Sequence, residues 1–136
     1  MSGIRFAGYA AIFDRIDRGG DMIRPGAFAR SLERSGGSLP VYWQHRPGSA
    51  VGHVTYARED ARGLCVIGDI AEGSEAAAML ARGARGLSFG YRVRQARGTA
   101  PRELTEVDIV EVSLVHTPMM PMARVHLAIK ESLQIA

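Results

Sequence analysis

LTEVDIVEVSLVH, residues 104–116, is the longest strand-like stretch of the sequence and decides the fold. Aliphatic and β-branched side chains dominate it, as is typical of a strand in a sheet. Its apolar residues include Val107, Ile109, Val110, Val112, Leu114 and Val115. One carboxylate, Glu111, lies in the most apolar part of this stretch.

Shorter strand patterns occupy residues 4–13, 39–44, 51–58, 64–70, 87–94 and 123–129, with a bend or bulge at Gly8. Helical patterns cover only residues 27–34 and 75–82. Ser74 is a suitable N-cap for the second helix, and Gly36-Gly37 ends the first. Many strands with few helices predict a mainly β fold of the α+β kind. We expect a closed or nearly closed β-barrel surrounded by short helices.

The composition predicts one domain over residues 1–136, with 46% hydrophobic and 23% charged residues. Cys65 is the single cysteine, which excludes an internal disulfide and a cysteine-rich metal site. No apolar run approaches the roughly 20 residues of a membrane span. The N-terminus has no signal-peptide layout. We therefore expect a cytosolic protein that uses no metal or cofactor and has no membrane partner.

The net charge of +3 comes mostly from arginine and suits an acidic partner of any kind. A nucleic-acid groove would place stacking aromatics beside the arginines. Only Phe89 and Tyr91 lie close to the densest arginine group in the sequence, and aromatics make up 7% of the chain. Nucleic-acid binding is therefore the disfavoured alternative.

Ser88 lies in the segment GLSFGY, residues 86–91, between large apolar residues and with glycines at both ends. A hydroxyl in this setting could act as a nucleophile, although most serines in apolar strands only bond a neighbouring backbone group. The segment is not the elbow of α/β-hydrolases, because a strand pattern rather than a helix follows Gly90. A nucleophile here would act from a strand and would need a base from elsewhere in the chain.

The candidate bases are the four histidines, among which His45 lies at a strand-to-turn junction. Glu111 needs a partner, since an unpaired buried carboxylate costs several kcal/mol. That partner is either a histidine in a catalytic arrangement or an arginine across the sheet.

These motifs, in this order, resemble the prohead (capsid maturation) serine proteases of tailed phages. The resemblance rests on Gly19-Gly20-Asp21 with residues 23–28 and Leu32, His45 with Val51-Gly52, residues 86–91, and residues 111–115 with Pro118 and residues 123–125. It covers residues 8–129 and implies a distant relation to the herpesvirus assemblins. The fold it implies is a β-barrel surrounded by helices.

The resemblance implies a serine endopeptidase that cleaves scaffold, or the N-terminal scaffolding segment of the major capsid protein, and possibly itself. Ser88 would be the nucleophile, His45 the general base and Glu111 the third member. His116, with Asp108 behind it, is the alternative third member by analogy with the Ser-His-His arrangement of assemblins. Arg92 and Arg124 are candidates for assisting the oxyanion site.

The resemblance also implies work inside an immature capsid in the host cytoplasm, as a homo-oligomer such as a dimer. Strand alternation separates Glu111 from His116, so a regular strand cannot bring both to one site. Two other functions remain open: a catalytically inactive shell-assembly component with the same barrel, and a basic nucleic-acid-binding barrel.

Overall fold

The computed structural model describes residues 3–131, and these form one sheet of eight strands with two short α-helices. The mainly β class predicted from the sequence is confirmed. The elements are β1 (Gly3–Ile12), β2 (Asp21–Ile23), α1 (Ala29–Ser35), β3 (Leu39–Trp43), β4 (Ala50–Glu59), β5 (Gly63–Ala71), α2 (Glu75–Ala81), β6 (Gly86–Arg97), β7 (Arg102–Val115) and β8 (Val125–Glu131). Neither helix in this part of the chain is long and apolar enough to cross a membrane.

The predicted strands and helices are all present with shifted ends, and two segments differ from expectation. Strand β2 was not predicted, because it is three residues long and depends on a distant partner, β7, with which it pairs in parallel. Strand β6 continues to Arg97, three residues beyond the end of the strand pattern predicted over residues 87–94. Arg94 and Arg97 form ion pairs with Asp108 and Glu103 on β7, which hold this part of the strand in place.

Strand β7 pairs with three other strands of the sheet. Along one edge it pairs antiparallel with β6. Along its other edge it pairs in parallel with two strands, with β2 at its start and with β3 at residues 112–114. The end of β3 therefore lies beside the apolar end of β7, and Gln44 N donates to Leu114 O at 2.9 Å.

Helix α1 and the turn before it cover the edge of β7 between β2 and β3. Val107 N donates to Ala27 O at 3.0 Å, and Ile109 N donates to Ser31 Oγ at 2.9 Å. These bonds satisfy backbone groups that no neighbouring strand reaches. Gly36 ends the helix with a φ of 65°, as the sequence predicted, because glycine adopts this left-handed conformation without strain.

The closed barrel predicted from the sequence is not confirmed. The remaining ladders run in the order β3-β4-β5-β1-β8, and the sheet is not closed on itself. Between β6 and the chain entering β8, the described residues make one isolated bridge, Gly86 with Arg124. One backbone hydrogen bond lies on each side of this bridge. The two strands meet only at their first residues, which is too short a contact for a ladder. Helix α1 packs against β7 and β4, and helix α2 packs against β3 and β5.

Apolar side chains from strands and helices form one core. Phe28 is fully buried beside α1, and its ring packs edge-on against Phe89 with 5.2 Å between centroids. Helix α2 buries Ala76, Ala77 and Leu80, and Ser74 caps it by accepting a bond from Ala77 N, as predicted. The other large, fully buried side chains are Phe6, Ile23, Leu64, Ile70, Leu87, Leu104, Leu114, Val41, Val54, Val66 and Val107. This core holds the end of β7 and the start of β6 rigidly together.

Replacing Ser31 with alanine should lower the free energy of unfolding by about 1–3 kcal/mol, because it leaves the buried N–H of Ile109 without an acceptor. Urea unfolding followed by circular dichroism measures this. Ser38→Ala is the matched control, since Ser38 is exposed, and it should change the free energy by less than about 0.5 kcal/mol. Equal stability of the two variants would contradict this role of Ser31.

Candidate active site

Ser88 lies in the buried first part of β6, opposite Ser113 on β7. Its strand is fixed there by Leu87 N, which donates to Ala123 O at 3.0 Å. Ser88 lines a small cavity of about 90 Å³ together with Leu87, Phe89 and Met120. It also lines an adjoining open groove. Ser88 therefore lies where the cavity and the groove meet.

His45 lines the same cavity and the same groove as Ser88. Among residues 3–131, no hydrogen bond joins the two side chains. Catalytic hydrogen bonds are often long in resting enzymes and tighten only when substrate binds. The structure thus brings the two residues to one site without a direct bond between them.

The backbone of His45 is in the left-handed conformation with a φ of 58°, and that of Gln44 has a φ of 55°. Such conformations cost non-glycine residues about 1–3 kcal/mol and persist only where neighbouring groups hold them. Here β7 does so: His45 N donates to Ser113 Oγ at 3.1 Å, and Gln44 Oε1 accepts from His116 N at 3.0 Å. The turn points the imidazole of His45 back toward β7.

Glu111 meets His45 from β7. Its Oε1 lies 2.6 Å from His45 Nδ1, and its Oε2 accepts from Ser113 Oγ at 2.6 Å. The carboxylate is buried, with 5% of the residue exposed. An ionised carboxylate only accepts hydrogen bonds, so Nδ1 carries the proton and Nε2 is the nitrogen available as a base. The partner of Glu111 is therefore a histidine and not an arginine.

Gly90 lies opposite Glu111 on β6, and its lack of a side chain makes room for the carboxylate. A Cβ atom at this position would lie 2.3 Å from Glu111 Oε1. Real Cβ contacts do not occur at this distance, so any larger residue would displace the carboxylate from His45.

The hydrogen bond to Glu111 raises the pKa of His45 above its usual value, and burial opposes this rise only in part. A raised pKa in the folded state means that protonated His45 stabilises the fold. That contribution is complete below the unfolded pKa of about 6.5 and is lost as the pH rises through the folded pKa.

The alternative third members lie elsewhere. His116 follows the end of β7, is exposed, and packs its ring edge-on against Trp43 with 4.8 Å between centroids. Asp108 pairs with Arg34 and Arg94. The hydrogen bond from Arg94, together with the charges of both arginines, lowers the pKa of its carboxyl group. The structure therefore brings Glu111, and neither His116 nor Asp108, to Ser88 and His45.

The arginines predicted to assist the oxyanion site are also placed elsewhere. Arg92 and Arg124 are exposed, and neither lines the cavity or the groove beside Ser88. Arg18 does line the groove, where its Nε donates to Pro118 O at 3.0 Å. Arg18 is thus the arginine that the structure puts near Ser88.

Ser113 and Arg18 are the site residues that reasoning from the sequence missed. Ser113 had a usable signal, because it lies two positions after Glu111 and so shares its strand face. Arg18 had none, since the turn that carries it reaches the groove only through distant contacts such as Arg18 N with Met119 O. No group of three or more metal-binding side chains is arranged around an ion position in the described residues.

Comparison with known proteins identifies the family of this chain. Residues 1–135 match the caudovirus prohead serine protease family. The chain is 33% identical over 94 residues to the prohead protease of Enterobacteria phage HK97, an alignment that covers 65% of this chain and 42% of the phage protein. The chain belongs to the caudovirus prohead serine protease family.

Solved herpesvirus proteases have a similar fold. The KSHV protease in complex with a hexapeptide phosphonate inhibitor matches with a TM-score of 0.64 at 16% identity, covering 96% of this chain and 65% of that one. The varicella-zoster virus protease matches with a TM-score of 0.50 at 19% identity, covering 81% and 63%. These matches confirm the assemblin-like fold predicted from the sequence. The chain spans less than half of its phage relative and under two thirds of the viral proteases.

Replacing Glu111 with glutamine should lower the pKa of His45, because the variant removes the carboxylate that raises it. Titration of the histidine side chains by NMR measures the change. Glu33→Gln, on the exposed face of α1, is the control and should leave the pKa of His45 in place. An unchanged pKa in Glu111→Gln would contradict the assigned contact.

Proposed function

We propose that this chain is the catalytic domain of a serine endopeptidase that acts in phage capsid maturation. The observation that carries this proposal is the contact between the buried carboxylate of Glu111 and His45, which lines the same cavity as Ser88. A nucleophile, a base and a group that orients the base are the parts that such catalysis needs.

In the proposed mechanism, Ser88 Oγ attacks the scissile carbonyl carbon while His45 Nε2 takes its proton. Glu111 keeps the proton on Nδ1 and stabilises the imidazolium that forms. His45 then gives the proton to the leaving amine, and the C–N bond breaks to leave an acyl group on Ser88. A water molecule, deprotonated by His45, hydrolyses this ester and restores the hydroxyl.

The negative oxygen of the tetrahedral intermediate requires donors fixed beside Ser88. Arg18 is our candidate for assisting there, in place of Arg92 and Arg124, because it lines the groove. Its bond to Pro118 O fixes the side chain before substrate binds, as preorganised electrostatic stabilisation requires.

The proposed substrates are scaffold and the N-terminal scaffolding segment of the major capsid protein, with self-cleavage as a further reaction. The name of the HK97 relative, prohead protease, supports action inside the procapsid. The alternative of a catalytically inactive shell-assembly component is weakened, because it does not account for the strained backbone at His45 or the buried charge of Glu111. The nucleic-acid alternative is weakened because several arginines are paired with carboxylates: Arg24, Arg34, Arg46, Arg94, Arg97 and Arg102.

Replacing Ser88 with alanine should abolish processing of the co-expressed major capsid protein, because no nucleophile remains. The thermal midpoint should stay nearly unchanged, since the hydroxyl has no bond to His45 to lose. Intact mass spectrometry of the capsid protein reads the cleavage. Ser49→Ala, at an exposed turn, is the matched control and should cleave like wild type. Cleavage by Ser88→Ala would refute the assignment of the nucleophile.

Labelling of the purified chain by a fluorophosphonate tests the same hydroxyl without a capsid. Ser88 Oγ should form a bond to phosphorus as fluoride leaves, and the labelled peptide should contain residue 88. Wild type labelled with the capsid protein uncut would indicate that assembly is needed for cleavage. Labelling of Ser88→Ala at the wild-type rate would contradict the proposal.

We also propose that the protease acts as an assembled form, a dimer or a copy held within the procapsid, since a free protease in the host must be restrained. Specific labelling rate should then rise with protein concentration by mass action. A rate independent of concentration over a hundredfold range, with a monomer in sedimentation, would contradict this.

A further inference from the structure

Ser113 joins the two parts of the site that meet from different strands. Its hydroxyl donates to Glu111 Oε2 at 2.6 Å and accepts from the backbone N–H of His45 at 3.1 Å. The residue has no exposed surface. The direction of these bonds is fixed, because an ionised carboxylate cannot donate and a backbone N–H cannot accept. One side chain thus contacts both the acid and the backbone of the base.

Both partners need such a support. Glu111 would otherwise have one oxygen bonded to His45 and the other without a donor, and a carboxylate with one anchor is free to rotate. His45 has a positive φ, and its N–H has no strand partner because β3 ends at Trp43. The bond from His45 N to Ser113 therefore fixes the left-handed turn that aims the imidazole.

We propose that Ser113 is a positioning residue of this active site, which sets the geometry of the Glu111–His45 pair through one hydroxyl. The proposal rests on the proposed function for its catalytic meaning, and on the two hydrogen bonds for its geometry. Among residues 3–131, no hydrogen bond joins Ser113 to Ser88, its partner across the strand pair. The hydrogen bonds of the Ser113 hydroxyl go to Glu111 and His45, and its effect passes through them.

Removal of the hydroxyl has two opposing effects on His45. Without its donor the carboxylate attracts protons more strongly, which would raise the pKa of His45. Without its anchor the carboxylate moves away from Nδ1, which would lower that pKa. If Ser113 positions the carboxylate, the loss of contact with Nδ1 is the larger effect, and the pKa of His45 falls. The other titratable residues that line the cavity and groove beside His45 are Asp17, Tyr91 and Arg18. A substitution at Ser113 replaces none of these residues.

Three variants separate the hydroxyl from the volume of the side chain. Ser113→Ala removes the hydroxyl, Ser113→Cys keeps the volume with only a weak donor, and Ser113→Thr keeps the hydroxyl. Ser31→Ala is the matched control, since Ser31 is also a buried serine that accepts a bond from a backbone N–H, but it lies beside α1. Thermal unfolding of each variant identifies a temperature at which all are folded.

The first measurement is the second-order rate of fluorophosphonate labelling of Ser88 in the full chain. Ser113→Ala and Ser113→Cys should each lower it about tenfold or more, with Ser113→Thr restoring most of the loss. Ser31→Ala should stay within about twofold of wild type. Combined with Glu111→Gln, Ser113→Ala should add less than about twofold further loss, because both act through one contact. The proposal would be overturned if the rate loss in the double variant equalled the product of the two single losses. A wild-type labelling rate in Ser113→Cys would overturn it as well.

The second measurement is the NMR titration of His45 in the Ser88→Ala background, which needs no activity. Ser113→Ala and Ser113→Cys should lower the pKa of His45, and Ser113→Thr should keep it near its starting value. A raised or unchanged pKa in the first two would overturn the proposal. If wild type is labelled neither as the concentrated purified chain nor inside the procapsid, the proposed function fails, and this titration still decides whether Ser113 positions the pair.

Discussion

A carboxylate held inside a β-sheet is the constraint on which the site depends. Glu111 is buried among the most apolar residues of β7, where an unpaired charge would cost several kcal/mol. Its contacts with His45 and Ser113 satisfy both of its oxygens. Removing either partner would leave part of a buried charge uncompensated. This destabilises a protein more than replacing the whole buried pair with well-packed apolar residues. The position of His45 is therefore tied to the stability of the sheet.

The pairing of β7 on both edges brings the site together. Antiparallel pairing with β6 places Ser88 opposite Ser113. Parallel pairing with β3 places Trp43, the last residue of β3, beside Leu114. His45 follows two residues later and turns back over the same strand. Residues far apart in sequence thus meet at one level of the sheet. Neither helix within residues 3–131 supplies a site residue, so the rigidity of the site comes from backbone ladders and the core beneath them.

Local signals in the sequence were enough for the strands, for the cap at Ser74 and for the end of α1 at Gly36. The resemblance to the prohead proteases, rather than local patterns, named Ser88, His45 and Glu111 as a group. The structure brings these three together, although their catalytic roles stay a prediction. What failed depends on distant partners. Strand β2 exists because Asp21 pairs with Arg102, and the sheet stays open because β6 and β8 meet only near Gly86. Neither pairing leaves a periodic pattern in the sequence.

The geometry also determines which nitrogen of His45 can act as the general base. Because Glu111 accepts the proton of Nδ1, Nε2 must be unprotonated before it can act as a base, and the raised pKa of His45 makes that state less populated at acidic pH. The same contact strengthens Nε2 as a base once it is free, since it stabilises the imidazolium that forms. The contact that stabilises the folded sheet below neutral pH is therefore the one that makes His45 a stronger base above it. Stability and basicity at this site change together, because both arise from the charge on Glu111.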